Sequence, residues 1–152
     1  MITQHQRIAI REVINRNFTF SDLSPRFKNV DSSTGNIFCP FHENHDTPAA
    51  KMYWNEYRER WEIHCFGECH RSFSAYDYVD LVLCLKYQKY SSPLDFLQKN
   101  MDPGELQRQL TFYVKRGAEL ETSLFEEKVT YINNVAAEAE NSVDFIEVLY
   151  TS

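Results

Sequence analysis

The sequence has no apolar run long enough to cross a bilayer. Its opening, Met-Ile-Thr-Gln-His-Gln-Arg, has none of the apolar stretch of a secretory signal. The expectation is therefore a cytoplasmic protein, or one in a host's cytoplasm if viral, with no membrane contact and with reduced thiols. Internal repeats and low-complexity tracts are also missing, and glycine is scarce, at four of 152 residues. After Asn100 there is no Gly-rich phosphate loop, no Asp-x-Asp and no parallel-strand pattern. Such a chain lacks the carboxylate cluster that holds divalent metal beside phosphates, so it is not expected to join nucleotides by itself. Excess positive charge is lacking too, since the net charge is −6. Residues 1–75 balance nine Lys/Arg against nine Asp/Glu, whereas residues 76–152 carry seven against thirteen. A long-range electrostatic grip on DNA is thus not expected from this chain alone, and any contact with nucleic acid must be local, weak and confined to the N-terminal half.

What is present suits a folded chain of one domain, or of a small module with a helical annex: 43% hydrophobic and 14% aromatic residues can build a core. Thr3 to Phe18 reads as an amphipathic helix with Ile10, Val13, Ile14 and Phe18 at helical spacing and a capping box from Thr3 and Gln6. A looser stretch to Gly35 holds Ser24-Pro25 and the turn-prone 31–35. Lys51–Trp54 and Arg60–His64 alternate as half-buried strands joined by a loop at Asn55–Glu59. If Trp61 and Ile63 face the core, His64 points outward. Beyond Cys69 the pattern is helical. Ser74 and Asp77 cap a helix bearing Val79, Val82 and Leu83 that ends near Tyr90. Ser92-Pro93 and Asp102-Pro103 start two more, the second completed by Glu105 and carrying Leu106, Leu110, Tyr113 and Val114 until Gly117 stops it. A longer helix is expected next, with Leu120, Leu124, Ile132, Val135 and Ala139 on its buried side. Val143–Tyr150 fits a short strand or a helical turn. The fold class expected is α+β: a small antiparallel ribbon after an N-terminal helix in residues 1–90, and a helical extension, suited to docking a partner, in 91–152.

Chemistry concentrates in Cys39-Pro-Phe-His42 and Cys65-Phe-Gly-Glu-Cys69. Zinc takes four soft or borderline ligands in a tetrahedron, and two knuckles on separate turns deliver two each. The residues between match a hairpin whose far ends return to the metal, and Gly67 offers the positive backbone torsion that a tight turn needs. Cys39, His42, Cys65 and Cys69 are thus the expected ligands of one structural Zn2+. His45, His64 and His70 lie close by, and Cys69 is preferred to His70 because structural sites are rich in sulfur. Cys84, on an apolar helical stretch, reads as core. On the strand pair, Lys51, Tyr53 and Arg60 share a face, with Arg58 at its loop and Arg71 nearby. Basic groups interleaved with an aromatic suit phosphates and stacked bases, against the ordinary alternative of solvated side chains near Glu56, Glu59 and Glu62.

Cys39-Pro-Phe-His42, Thr47-Pro48, His64-Cys-Phe-Gly67 and the helix at Asp77-Tyr-Val, with the helix upstream and Phe20-Ser-Asp-Leu23, together resemble the zinc-binding domain of DnaG-type primases of bacteria and phages. The resemblance covers about the first ninety residues. One departure is that three residues separate Cys65 from Cys69 where the family usually has two. The resemblance implies a zinc ribbon that presents a small sheet to single-stranded DNA and helps choose where an RNA primer starts. The polymerase domain would lie on another chain or be missing, and the extension would dock that polymerase subunit or a replicative helicase. The alternative is a zinc-stapled interaction adaptor, of the kind a phage encodes, that touches no DNA.

Overall fold

The computed structural model describes residues 2–28, 36–42 and 48–140. The turn expected at 31–35, His45, Thr47 and the tail 143–150 lie outside the described residues, as do the side chains of Leu124, Val135 and Ala139. The chain is α+β, with a four-stranded antiparallel sheet and a helix at the N-terminus. The first helix, α1, is Gln4–Asn17, and the Thr3–Gln6 capping box closes it as the sequence predicts. A second box, from Thr19 and Asp22, starts the short α2, Phe20–Leu23, and Pro25–Phe27 forms one 3-10 turn.

The strands β1 (Asn36–Ile37), β2 (Ala50–Asn55), β3 (Arg60–Cys65) and β4 (Arg71–Phe73) lie side by side in chain order. The hairpin of β2 and β3 stands where the alternation places it. The strand after Cys69 corrects the expectation that the chain is helical from there on. Three residues are too few to display a period of two, and β4 is recognisable only by its pairing with β3. One row of partners, Ile37–Ala50–Cys65–Arg71, crosses the whole sheet.

Met52, Ile63, Cys65 and Phe73 bury one face of the sheet against Val13 and Ile14 of α1 and Phe20 and Phe27 of the following turns. Ser74 and Asp77 cap α3, Ala75–Asp77, as expected. The helix then widens into a π-helical segment, Tyr78–Lys86, whose last turn closes with Tyr87 N–H donating to the Val82 carbonyl at 2.9 Å. Its Val79, Val82 and Leu83 are buried as predicted, but it stops at Lys86, and Gln88 turns the chain with φ 53°. Ser92 and Asp102 cap α4 (Pro93–Asn100) and α5 (Pro103–Glu140), accepting from the Asp95 and Glu105 N–H groups at 3.1 and 3.0 Å.

Gly117 does not stop α5, which runs through it for 38 residues in all. A glycine ends a helix when the chain adopts a left-handed turn there, and no such φ occurs among the described glycines. Phe96, Leu97 and Leu106 join the same hydrophobic cluster as α1 and the sheet, so one core includes residues from before and after position 90. Among the described residues no helix is long and apolar enough to cross a membrane.

Candidate metal centre

Cys39 and His42 sit on the turn after β1, Cys65 ends β3, and Cys69 lies on the turn into β4. Sheet register therefore carries both knuckles to one end of the sheet, beside the Ile37–Ala50–Cys65–Arg71 row. The ligand atoms of the four residues all lie within 4.8 Å of one another and could hold one metal ion. The Cys39 and Cys69 sulfurs are 4.0 Å apart, and His42 Nε2 is 3.1 Å from the Cys65 sulfur. Sulfurs bound at about 2.3 Å to a tetrahedral centre stand roughly 3.8 Å apart, so the donor set fits such an ion. All four cysteines are free thiols. His64 and His70 stay outside the cluster.

Each knuckle is shaped by backbone. The Phe41 N–H donates to the Cys39 sulfur, and the N–H groups of Gly67 and Cys69 donate to the Cys65 sulfur. The three residues between Cys65 and Cys69 thus form a turn that directs its amides at sulfur. Phe41 anchors the first knuckle by stacking on Phe73 with 3.8 Å between ring centroids. Gly67 serves a different purpose from the one its type suggests, because its φ is not positive and His70 takes the left-handed torsion instead, at φ 49°. What Gly67 supplies is room: a Cβ there would come within 3.1 Å of the Ala49 Cβ and 3.8 Å of the Cys65 sulfur.

Burial pushes the Cys65 thiol up, but those amides and His42 outweigh it and bring the thiol down to about 7. Burial and the neighbouring Cys39 push Cys69 up to about 12, and Cys39 itself is raised by burial. Crowded thiolates repel one another, and a divalent cation among them relieves that repulsion. His42 Nδ1 is buried without a hydrogen bond, with Glu68 Oε2 3.6 Å away. The three-residue turn is what brings Glu68 there, on the side of the ring opposite the ligand nitrogen. Cys84 packs partly buried against the core, where burial together with Asp80 and Asp95 raises its thiol to about 11, as suits an unreactive filler.

The five residues read as nucleic-acid contacts fall into distinct settings. Register places Lys51, Tyr53 and Arg60 on one face, together with Asn55, Glu62 and His64. Glu62 is only 1% exposed. It accepts from Tyr53 Oη at 2.8 Å, Asn55 Nδ2 at 2.9 Å and Arg60 Nε at 2.8 Å, with Arg58 at 3.4 Å. Reading it as one more solvated acid near the loop is therefore corrected: alternation exposes Glu62 only if nothing covers that face, and Tyr53 and Arg60 fold over it. Tyr53 Oη spends its proton on Glu62, so at 3.0 Å it accepts from the Ser72 hydroxyl, which leaves Ser72 to accept from His64 Nδ1 at 2.8 Å. Burial pushes Glu62 up, but the hydrogen bonds from Asn55, Tyr53 and Arg60 together hold it below its ordinary value. Arg71 pairs opposite Cys65, on the other side of the strand, and its guanidinium lies 4.4 Å from the centre of the Phe73 ring. The aromatic rings that stand out to solvent near this face are Tyr57 at the hairpin tip, 95% exposed, and Phe66 on the second knuckle, 63% exposed. Sequence reasoning passed over both, because neither lies in an alternating run.

Compared with models of known families, with curated proteins and with solved structures, the chain matches none.

Proposed function

We propose that this chain is the zinc-ribbon part of a DNA primase, which recognises single-stranded template DNA while the nucleotide-joining chemistry resides on another chain or domain. The observation that carries the reading is the Cys-Pro-Phe-His knuckle. It meets the Cys65–Cys69 turn at one end of an antiparallel sheet, and Lys51, Arg58 and Arg60 stand along the sheet's polar face. Three thiols and one imidazole at these separations suit Zn2+, which here holds a fold together and performs no chemistry. Lys51 and Arg58 would meet phosphates, and Tyr57 and Phe66 would offer bases their ring faces. The extension from 91 onward would dock a polymerase subunit or replicative helicase, in a cytoplasmic setting.

Protein purified without chelators should carry one zinc per chain, and metal analysis measures it. It should bind a single-stranded oligonucleotide weakly, near the ~10⁻⁴–10⁻⁶ M of non-specific binders. Alone, with nucleotides and magnesium, it should make no primers, and mixed with a separate primase polymerase subunit it should support their synthesis. A zinc-free protein, or primers from the purified chain, would overturn the reading.

The adaptor reading has one observation in its favour: Phe112, Leu120, Tyr131 and Ile132 are large apolar side chains exposed along α5. An adaptor would keep its zinc and show no affinity for single-stranded DNA at low salt.

A further inference from the structure

A groove of about 560 Å³ runs between α1 and the adjoining parts of the sheet. Arg11, Asn15 and Arg16 of α1 line it, facing Arg58, Arg60 and Arg71 of the hairpin and β4. Five arginines thus converge on one groove of a chain whose net charge is −6. Of the three carboxylates that line it, Glu12 and Asp77 are engaged, and Glu59 has no ion pair among the described residues. Glu12 pairs with Arg16 at 3.0 Å, and Asp77 accepts from the backbone and hydroxyl of Ser74. Glu62, which is not among the lining residues, takes up Arg60 and part of the charge of Arg58. Among the described residues no carboxylate pairs with Arg11 or Arg71. A second observation is independent of charge. Asn15 Oδ1 is fixed by the Tyr76 N–H at 2.8 Å, and its Nδ2 is buried on the groove wall with no acceptor. An amide donor left unpaired in this way is costly unless something accepts from it. Guanidiniums without carboxylates and an amide without an acceptor both call for an anionic oxygen, and arginine forks match phosphate.

We infer that this groove is a phosphate-binding site, with Arg11 and Arg71 as its open cations and the Asn15 amide as a donor on its wall. The chemistry required is that of a phosphate oxyanion, which either a strand's phosphodiester backbone or a free polyphosphate supplies. The strand case rests on the single-stranded DNA reading above, and there the groove extends the path from the sheet onto α1. The polyphosphate case does not depend on that reading.

The test uses the full chain with zinc content verified, and two probes: a twelve-residue oligo-dT and inorganic tripolyphosphate. Arg11→Glu and Arg71→Glu alter exposed side chains that no ion pair needs. Asn15→Asp keeps the acceptor for Tyr76 and replaces the donor with a negative oxygen. If the groove takes phosphate, each variant weakens whichever probe the parent binds by about tenfold, and Arg11→Gln lowers the slope of log K against log salt for oligo-dT by about 0.7. Tripolyphosphate binding alone, lost in these variants, supports the groove and counts against a DNA strand as its occupant. If the parent binds oligo-dT, Lys51→Ala weakens that binding and the three groove variants match the parent, the groove inference is overturned and the template reading stands. If the parent binds neither probe, both fall.

Discussion

Glu62 shows how a residue's setting can invert the meaning of its type. In the sequence it is one acid among several in a hydrophilic hairpin, while in the fold it is the buried acceptor at the end of a hydrogen-bond chain that runs from His64 through Ser72 and Tyr53. Glu62→Gln leaves one acceptor oxygen where two served Tyr53, Asn55 and the guanidiniums of Arg58 and Arg60, and is expected to cost about 1–3 kcal/mol in a denaturation experiment. The pH dependence has a definite sign. Because Glu62 is held below its ordinary 4.5, its contribution is complete above that pH and disappears as the pH falls through the folded value. The parent should therefore lose stability in acid more steeply than Glu62→Gln. Glu68 is the residue-scale counterpart at the candidate metal centre, poised 3.6 Å from His42 Nδ1. Glu68→Ala should lower zinc affinity about tenfold in a competition with a chelator, the lower end of the range for such orienting carboxylates. The four candidate ligands were legible in the sequence because knuckle spacing is a local property. Neither Glu62 nor Glu68 was, because their roles depend on which side chains the register and the three-residue turn place beside them.

At the scale of elements, caps were the most readable signals. Thr3, Ser74, Ser92 and Asp102 each start a helix where the sequence places the start, since a cap is a contact between residues three apart. Helix ends were harder to read. Gly117 satisfies the composition of a stop signal, yet α5 continues, because nothing else in its neighbourhood favours a left-handed turn over one more hydrogen-bonded residue. A Cβ at Gly117 would stand 3.6 Å from the His5 ring, an ordinary contact. Gly117→Ala should accordingly stabilise the protein by about 0.5–1 kcal/mol, read as a higher denaturation midpoint. A loss of stability instead would mean that the glycine serves the packing of α1 on α5. The widening of Tyr78–Lys86 was equally hidden, because Val79, Val82 and Leu83 show the same spacing whether the turns close at four residues or at five.

For the whole molecule, the sequence supported a division near residue 90, whereas the buried cluster runs from Ile10 through the sheet to Leu106. Periodicity marks which side of an element is apolar and is silent on which neighbour covers it. Zinc removal should consequently shift one thermal transition that reports on the sheet and on α4 together, measured by tryptophan fluorescence and by helical ellipticity. Two separated transitions would support the division. The side-chain amides of Asn17 and Gln109 join α1 to α5 across 92 positions at 2.6 and 3.2 Å. During synthesis α1 therefore leaves the ribosome with its buried side uncovered, and the helix that covers it is the last of the described elements to emerge. The closing step is a long-range one, which slows folding. Until it occurs, the side of α1 that carries Ile10 and Asn17 remains open to chaperones, and a ribosome stalled before α5 would display it.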